Sequence, residues 1–140
     1  MDAEQVAPKR AVVVSGSAGG FAQTIEVGRH RLRGDEPTAL GGTDTGPAPY
    51  DYLLAALGSC TSMTVSMYAR RKQWPLEAVS VTLRHAKVPV EGQQIDRIER
   101  DIELTGTLDD EQRARLLEIA NKCPVHRTLS SRIEIVSRLA

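Results

Sequence analysis

The sequence predicts an α+β domain: β-branched runs, one long apolar helix, an alternating pair of strands and a second helix, with no parallel βαβ winding. Three observations carry this. Ala11-Val12-Val13-Val14 and Thr24-Ile25-Glu26-Val27 are β-branched runs on either side of the flexible Ser15–Gly20 turn. Tyr52–Ala69 is an uncharged stretch of eighteen residues that ends in Arg70-Arg71-Lys72. Val79–His85 and Ile98–Thr107 both alternate with period two, as half-buried strands do.

The elements follow in order. The first two runs read as a hairpin, and Arg29-His30-Arg31-Leu32-Arg33 continues or adds a strand. Gly34–Pro49 is dense in Gly, Pro, Asp and Thr and reads as a long loop. Pro49 and Asp51 mark a helix start, because proline suits the first helical position and an acid suits the positive end of the macrodipole. The helix is expected over about Pro49–Lys72. Val79–His85 and Ile98–Thr107 should pair antiparallel through a polar turn near Glu91-Gly92, the second strand being less regular at Arg100-Asp101. A second helix opens near Leu108–Glu111 with Thr107 or Asp109 as its cap, carries Leu116, Leu117, Ile119 and Ala120 on its apolar face, and ends at Pro124. A last short strand is expected at Ile133-Glu134-Ile135-Val136.

At 140 residues the chain is one domain long, 1–140, with residues 1–9 expected as a loose N-terminal tail. A chain of this size buries roughly 68–70% of its unfolded surface and needs no disulfide staples. The long helix is apolar or small on nearly every face until Arg70, so it must be enclosed on several sides. One sheet from so short a chain covers one side, and a second copy, in a homodimer, is expected to cover the rest.

Composition excludes several classes. Eighteen Lys+Arg against eighteen Asp+Glu leave zero formal net charge and no field to attract nucleic acid. Three tyrosines, one tryptophan and one phenylalanine are too few for a base-stacking platform. The N-terminal residues lack the apolar stretch of a secretory signal, so a cytoplasmic protein is expected. The eighteen-residue apolar stretch only reaches the lower limit of a membrane span and contains six Gly, Ser or Thr residues, so it reads as a buried helix.

The chemistry falls to two cysteines, Cys60 in the long helix and Cys123 where the second helix stops. In a reducing compartment such a pair is more often buried, metal-binding or redox-active than a permanent bridge. Cys60 has small neighbours in Gly58-Ser59-Cys60-Thr61-Ser62, which leave room beside the sulfur, although a free cysteine also packs simply as a small hydrophobe. Cys123 lies amid groups that can be cationic, Lys122, His126 and Arg127, and a thiol near positive charge ionises more readily. Cys60, Cys123, His126 and one of His30 or His85 could be counted as four zinc ligands, but only Cys123 and His126 have metal-site spacing, so no metal is expected. Gly58-Ser59-Cys60 lacks the serine-hydrolase elbow.

Taken together, Gly46-Pro47-Ala48-Pro49-Tyr50-Asp51-Tyr52-Leu53-Leu54-Ala55-Ala56-Leu57-Gly58-Ser59-Cys60-Thr61 and Cys123-Pro124-Val125-His126 resemble the two cysteine motifs of the OsmC/Ohr family, named for osmotically inducible protein C and organic hydroperoxide resistance protein. The resemblance covers about residues 10–137. His30-x-Leu32, Asp35-Glu36-Pro37 and Gly41-Gly42 look like an OsmC-like branch whose function is less well defined. It implies antiparallel sheets wrapped around a long buried central helix in an intertwined homodimer. It also implies a thiol peroxidase that reduces organic hydroperoxides in oxidative-stress defence, Cys60 being the peroxidatic and Cys123 the resolving thiol. An external dithiol, a lipoyl-protein or thioredoxin-like, would reopen the disulfide, and no cofactor is implied.

In the better-known peroxidases of this family an N-terminal arginine and a glutamate at the helix start hold the thiolate. This chain departs from both: Tyr50 stands ten residues before Cys60, and Ser15–Gly20 has no arginine. Asp51 or Glu36 is the substitute acid, and Arg31 or Arg33 is favoured for the cation over Arg29 or Arg127. Tyr50, Leu57 and Met63 are the expected substrate-binding residues. The departures also leave open a non-catalytic small-molecule binding or stress-response module on the same scaffold, with both cysteines in the core.

Overall fold

The computed structural model describes residues 10–140. They fall into two compact units divided between Tyr52 and Leu53. The tail expected over residues 1–9 lies outside the described residues.

In the N-terminal unit, β1 (Val13–Gly16), β2 (Gln23–Val27) and β3 (His30–Gly34) form an antiparallel sheet in chain order. Val27 pairs with His30 across a two-residue turn in which Gly28 has φ +56, a left-handed conformation that glycine adopts without a Cβ clash. The loop that follows is organised around Asp35, which is buried. Its carboxylate accepts hydrogen bonds from Thr43 Oγ1 at 2.6 Å, Thr45 Oγ1 at 2.7 Å, and the amides of Glu36 and Thr45 at 2.8 and 3.1 Å. These donors, the Thr43 hydroxyl foremost, hold the Asp35 carboxyl far below the usual carboxylate range against the opposing effect of burial. A short 3-10 turn, Thr38–Leu40, completes the loop.

Helix α1 (Pro49–Lys72) has proline at its first position and Asp51 in its first turn, where the Asp51 carboxylate accepts from the Ala48 amide at 2.9 Å. In the C-terminal unit it runs beside a long hairpin of β4 (Leu76–Val90) and β5 (Gln93–Gly106), then α2 (Asp110–Ala120) and α3 (Pro124–Leu129). The hairpin reverses at Glu91-Gly92, with φ +50 and +81, the doubly positive geometry that matches the twist of paired strands. Asp109 caps α2 reciprocally with Gln112: the Gln112 amide donates to Asp109 Oδ1 at 2.7 Å and the Asp109 amide to Gln112 Oε1 at 3.0 Å.

The buried positions of α1 are Leu57, Gly58, Thr61, Val65 and Ala69, a stripe at four-residue spacing. Val65 and Ala69 join Leu116 and Ala120 of α2 in the core, against which Tyr68, Trp74, Leu76, Val79, Ile102, Leu104 and Leu108 pack. A side chain at Gly58 would meet Leu83 Cδ1 at 2.8 Å, so the absent Cβ lets the hairpin close on the helix. Among the described residues the fully buried positions of the helix are those of this stripe, and Met63 is 71% exposed.

The C-terminus departs from expectation. Residues 132–140 form no strand, and Ile133, Ile135 and Val136 are exposed. An alternating run becomes a strand only where a hydrogen-bonding edge receives it, and among the described residues none does. Pro124, expected only to end the second helix, instead opens α3 at its first position after α2 has stopped at Ala120.

Candidate functional site

Both cysteines lie in the C-terminal unit and both are free thiols. Cys60 sits on α1 beside the buried stripe and is half-buried, while Cys123 is 0% exposed. Helix α3 brings them together. Cys123 is its N-cap residue, and the His126 amide donates to Cys123 Sγ at 3.4 Å. The preceding amide, that of Val125, donates to Cys60 Sγ at 3.5 Å. Two consecutive N–H groups of one helical turn therefore each address a sulfur, which fixes the thiols side by side although 62 residues separate Thr61 from Cys123 in the chain.

Thr61, fully buried, lies between α1 and the second sulfur: its hydroxyl donates to the Leu57 carbonyl at 2.7 Å and stands 3.9 Å from Cys123 Sγ. Burial pushes the Cys123 thiol up. The His126 amide, the Cys60 thiol, the Thr61 hydroxyl and the charge of Arg100 act in the opposite sense and together leave it below the usual thiol range.

Arg100, on β5, was not among the sequence-derived candidates. Its Nη1 donates to Thr61 Oγ1 at 2.8 Å and the Ala120 carbonyl at 3.3 Å, and its Nη2 to Asn121 Oδ1 at 3.0 Å and His126 Nδ1 at 2.9 Å. All four acceptors are uncharged. Among the described residues no carboxylate pairs with Arg100, whose strand neighbour Asp101 bonds instead to Arg84. Burial and then the adjacent guanidinium lower the His126 pKa, which keeps the imidazole neutral and its Nδ1 free to accept. A signal for Arg100 did exist in the sequence. It alternates in phase with Ile98, Ile102 and Leu104 on the partly buried face of β5, an arginine where the pattern calls for an apolar residue.

The other candidates are placed as follows. Arg31 and Arg33 are exposed residues of β3, in register with Glu26 and Thr24. Glu36 is half-buried in the Asp35 loop, and Asp51 caps the start of α1. Tyr50 is 55% exposed in the first turn of α1. These five belong to the N-terminal unit. Leu57 lines a pocket of about 220 Å³ with Ile98, Leu129, Arg100, His126, Asp96 and Ser130. Met63 lines a separate shallow pocket with Ala55, Gly58 and Leu83. Among the described residues no group of three or more His, Cys, Asp or Glu side chains converges as a metal site, and no helix is long and apolar enough to cross a membrane.

Two antiparallel sheets, one long helix and a pair of thiols held by a short one define the class of this α+β chain. The sequence profile of the OsmC-like protein family matches residues 42–138, and the chain belongs to that family. Its fold is similar to the crystal structure of an OsmC-like protein from Mycoplasma pneumoniae, with TM-score 0.74 at 18% identity over 89% of each chain. It is also similar to an organic hydroperoxide resistance protein OsmC from Legionella pneumophila, with TM-score 0.69 at 20% identity over 89% of this chain and 91% of that one. A third, an organic hydroperoxide resistance protein from Elizabethkingia anophelis, has TM-score 0.68 at 18% identity over 93% and 94%. No curated protein matches the sequence.

Proposed function

We propose that the protein is a cysteine-dependent peroxidase that reduces organic hydroperoxides to alcohols, with Cys60 as the peroxidatic thiol and Cys123 as the resolving one. The observation that carries the reading is the address of Cys60 and Cys123 by consecutive amides of α3, beside an arginine that has no carboxylate partner among the described residues. Membership of the OsmC-like family and similarity in fold to organic hydroperoxide resistance proteins support it.

The steps are these. Cys60, the more accessible sulfur, attacks the distal peroxide oxygen as thiolate; the O–O bond breaks, the alkoxide takes a proton and leaves as alcohol, and Cys60 is left as sulfenic acid. Cys123 as thiolate then attacks the Cys60 sulfur and expels hydroxide, which leaves as water, forming the disulfide. An external dithiol returns both thiols by exchange and becomes a disulfide itself. The apolar side chains Leu57, Ile98 and Leu129 of the neighbouring pocket favour an alkyl hydroperoxide, whose tail supplies binding energy that hydrogen peroxide lacks.

The proposal includes a homodimer and action in the cytoplasm. Met63, Met67 and Ile135, exposed to 71%, 52% and 84%, form apolar surface of the kind a second copy would cover.

The deciding experiment mixes reduced protein with a slight excess of cumene hydroperoxide and follows peroxide and free thiol together. Peroxide consumption with loss of both thiols of the chain, abolished in Cys60→Ser, is the expected result. Unchanged thiols in the unaltered protein would overturn the reading in favour of a binding module.

A further inference from the structure

We propose that Arg100 is the positioning residue that makes Cys123 the departing sulfur when the disulfide is reopened, so that an external dithiol enters at Cys60. The inference deepens the peroxidase reading and rests on it for the place of the disulfide in a cycle.

Thiol exchange is governed by which sulfur an incoming thiolate can reach and by how well the other sulfur carries the negative charge away. Here both factors select the same direction. Cys60 is partly open to solvent, whereas Cys123 is sealed at 0% exposure. Cys60 receives one amide, whereas Cys123 faces the His126 amide and the Thr61 hydroxyl.

Arg100 holds those groups in place. Both of its terminal nitrogens are occupied by the side chains of Thr61, Asn121 and His126 and the Ala120 carbonyl. The guanidinium therefore acts through its neighbours. It grips Thr61 Oγ1, whose proton is given to the Leu57 carbonyl and can turn toward Cys123 Sγ once that sulfur is anionic. It also grips the imidazole of His126, the residue whose amide meets the same sulfur.

Charge gives the second reason. A half-buried cation with only neutral partners is costly unless an anion forms nearby. Among the described residues the titratable and charged groups that face Cys123 are Cys60 from α1, Arg100 from β5 and His126 from α3, and the anion this set can produce is a thiolate. Asp96 lines the same pocket as Arg100, but its Oδ1 is taken by His85 and Lys87 at 2.9 Å each.

A thiolate of the dithiol attacks Cys60 Sγ, the Cys60–Cys123 bond breaks, and its electron pair stays on Cys123 as thiolate. The second thiol of the reductant, deprotonated, then attacks its own sulfur of the mixed disulfide and releases Cys60. One dithiol is oxidised to a disulfide and one protein disulfide is reduced to two thiols.

Two measurements test this. First, the disulfide is made with diamide, the oxidised protein is treated with glutathione, the mixture is quenched with acid, and the mixed disulfide is located by peptide mass spectrometry. Glutathione on Cys60 is expected; glutathione on Cys123 overturns the proposal. Because diamide makes the disulfide, a protein that ignores hydroperoxides still shows which sulfur glutathione enters.

Second, in a Cys60→Ser background, the thiolate absorbance of Cys123 is titrated against pH. Arg100→Gln raises the midpoint by about one pH unit or more, the scale on which a neighbouring opposite charge acts, and Arg100→Lys recovers part of the shift. Thr61→Val, which keeps the shape without the hydroxyl, moves it in the same direction and serves if Arg100→Gln does not fold. A midpoint unmoved in the variants that fold overturns the role of Arg100.

Discussion

Arg100 Nη1 and Thr61 Oγ1 meet at 2.8 Å across 39 residues of chain, one from the long hairpin and one from the buried stripe of α1. Thr61 in turn stands against Cys123, and the other arm of Arg100 holds His126, whose amide meets the same sulfur. The hairpin, α1 and the α2–α3 junction are thus tied at one point, and that point is where the thiols lie. The contacts made here by the His126 amide, the Thr61 hydroxyl and Arg100 lower the Cys123 thiol against the opposing effect of burial.

If Cys123 resolves the oxidised state, its removal strands the intermediate. Cys123→Ser treated with one equivalent of cumene hydroperoxide will accumulate sulfenic acid on Cys60, trapped by dimedone and read as one adduct on the Cys60 peptide. A wild-type protein pretreated with the peroxide will give none, because both sulfurs are then in the disulfide.

His126 titrates below the ordinary histidine range, because burial and then the charge of Arg100 disfavour its protonated form. The unfolded chain therefore binds a proton more readily than the folded one. The stability His126 contributes is present above the unfolded value of about 6.5 and is lost as pH falls through the lower, folded one. The measurement is the NMR titration of the His126 ring, expected to move upward in Arg100→Gln; a midpoint at or above the ordinary value in the unaltered protein contradicts the bond to Arg100.

Asp35 gives the N-terminal unit its own acid sensitivity. Its carboxyl is held far below the usual range by Thr43, Thr45 and the Glu36 amide, so its contribution is present above the unfolded value of about 3.9 and disappears as pH falls toward the folded one. In Asp35→Asn the amide group cannot accept from so many donors, and the variant will be less stable at neutral pH while losing less between pH 4 and pH 2. Chemical denaturation at a series of pH values reads both effects.

Leu116 is fully buried between α1 and the hairpin, in contact with Val65, Ala69 and Ala120. Leu116→Ala removes that volume and will cost about 2–5 kcal/mol in urea unfolding, as cavities in closed cores do. The Cys123 thiolate midpoint will stay where it is in the folded variant, since the Leu116 side chain bonds neither to the sulfurs nor to Arg100, and its core neighbour Ala120 meets Arg100 only through a backbone carbonyl.

Local rules settled much of the architecture. Pro49, Asp51 and the uncharged run to Ala69 marked α1, because proline, an acidic first turn and unbroken apolar character act within a few residues of chain. Period two marks β4 and β5 for the same reason, and the sequence offers Thr107 or Asp109 as the cap of α2, of which the structure uses Asp109 and adds Gln112 as its reciprocal partner. The two cysteines stood out by type, and their family motifs by resemblance. What they face is another matter. Ile133–Val136 has the pattern of a strand and forms none here, since a strand also needs an edge to bind, which its own residues do not encode. Arg100 was visible only as a break in an apolar rhythm. Its meeting with Thr61, Asn121 and His126 depends on where a hairpin and two helices come to rest, and sequence patterns of short period carry no record of distances spanned through the core.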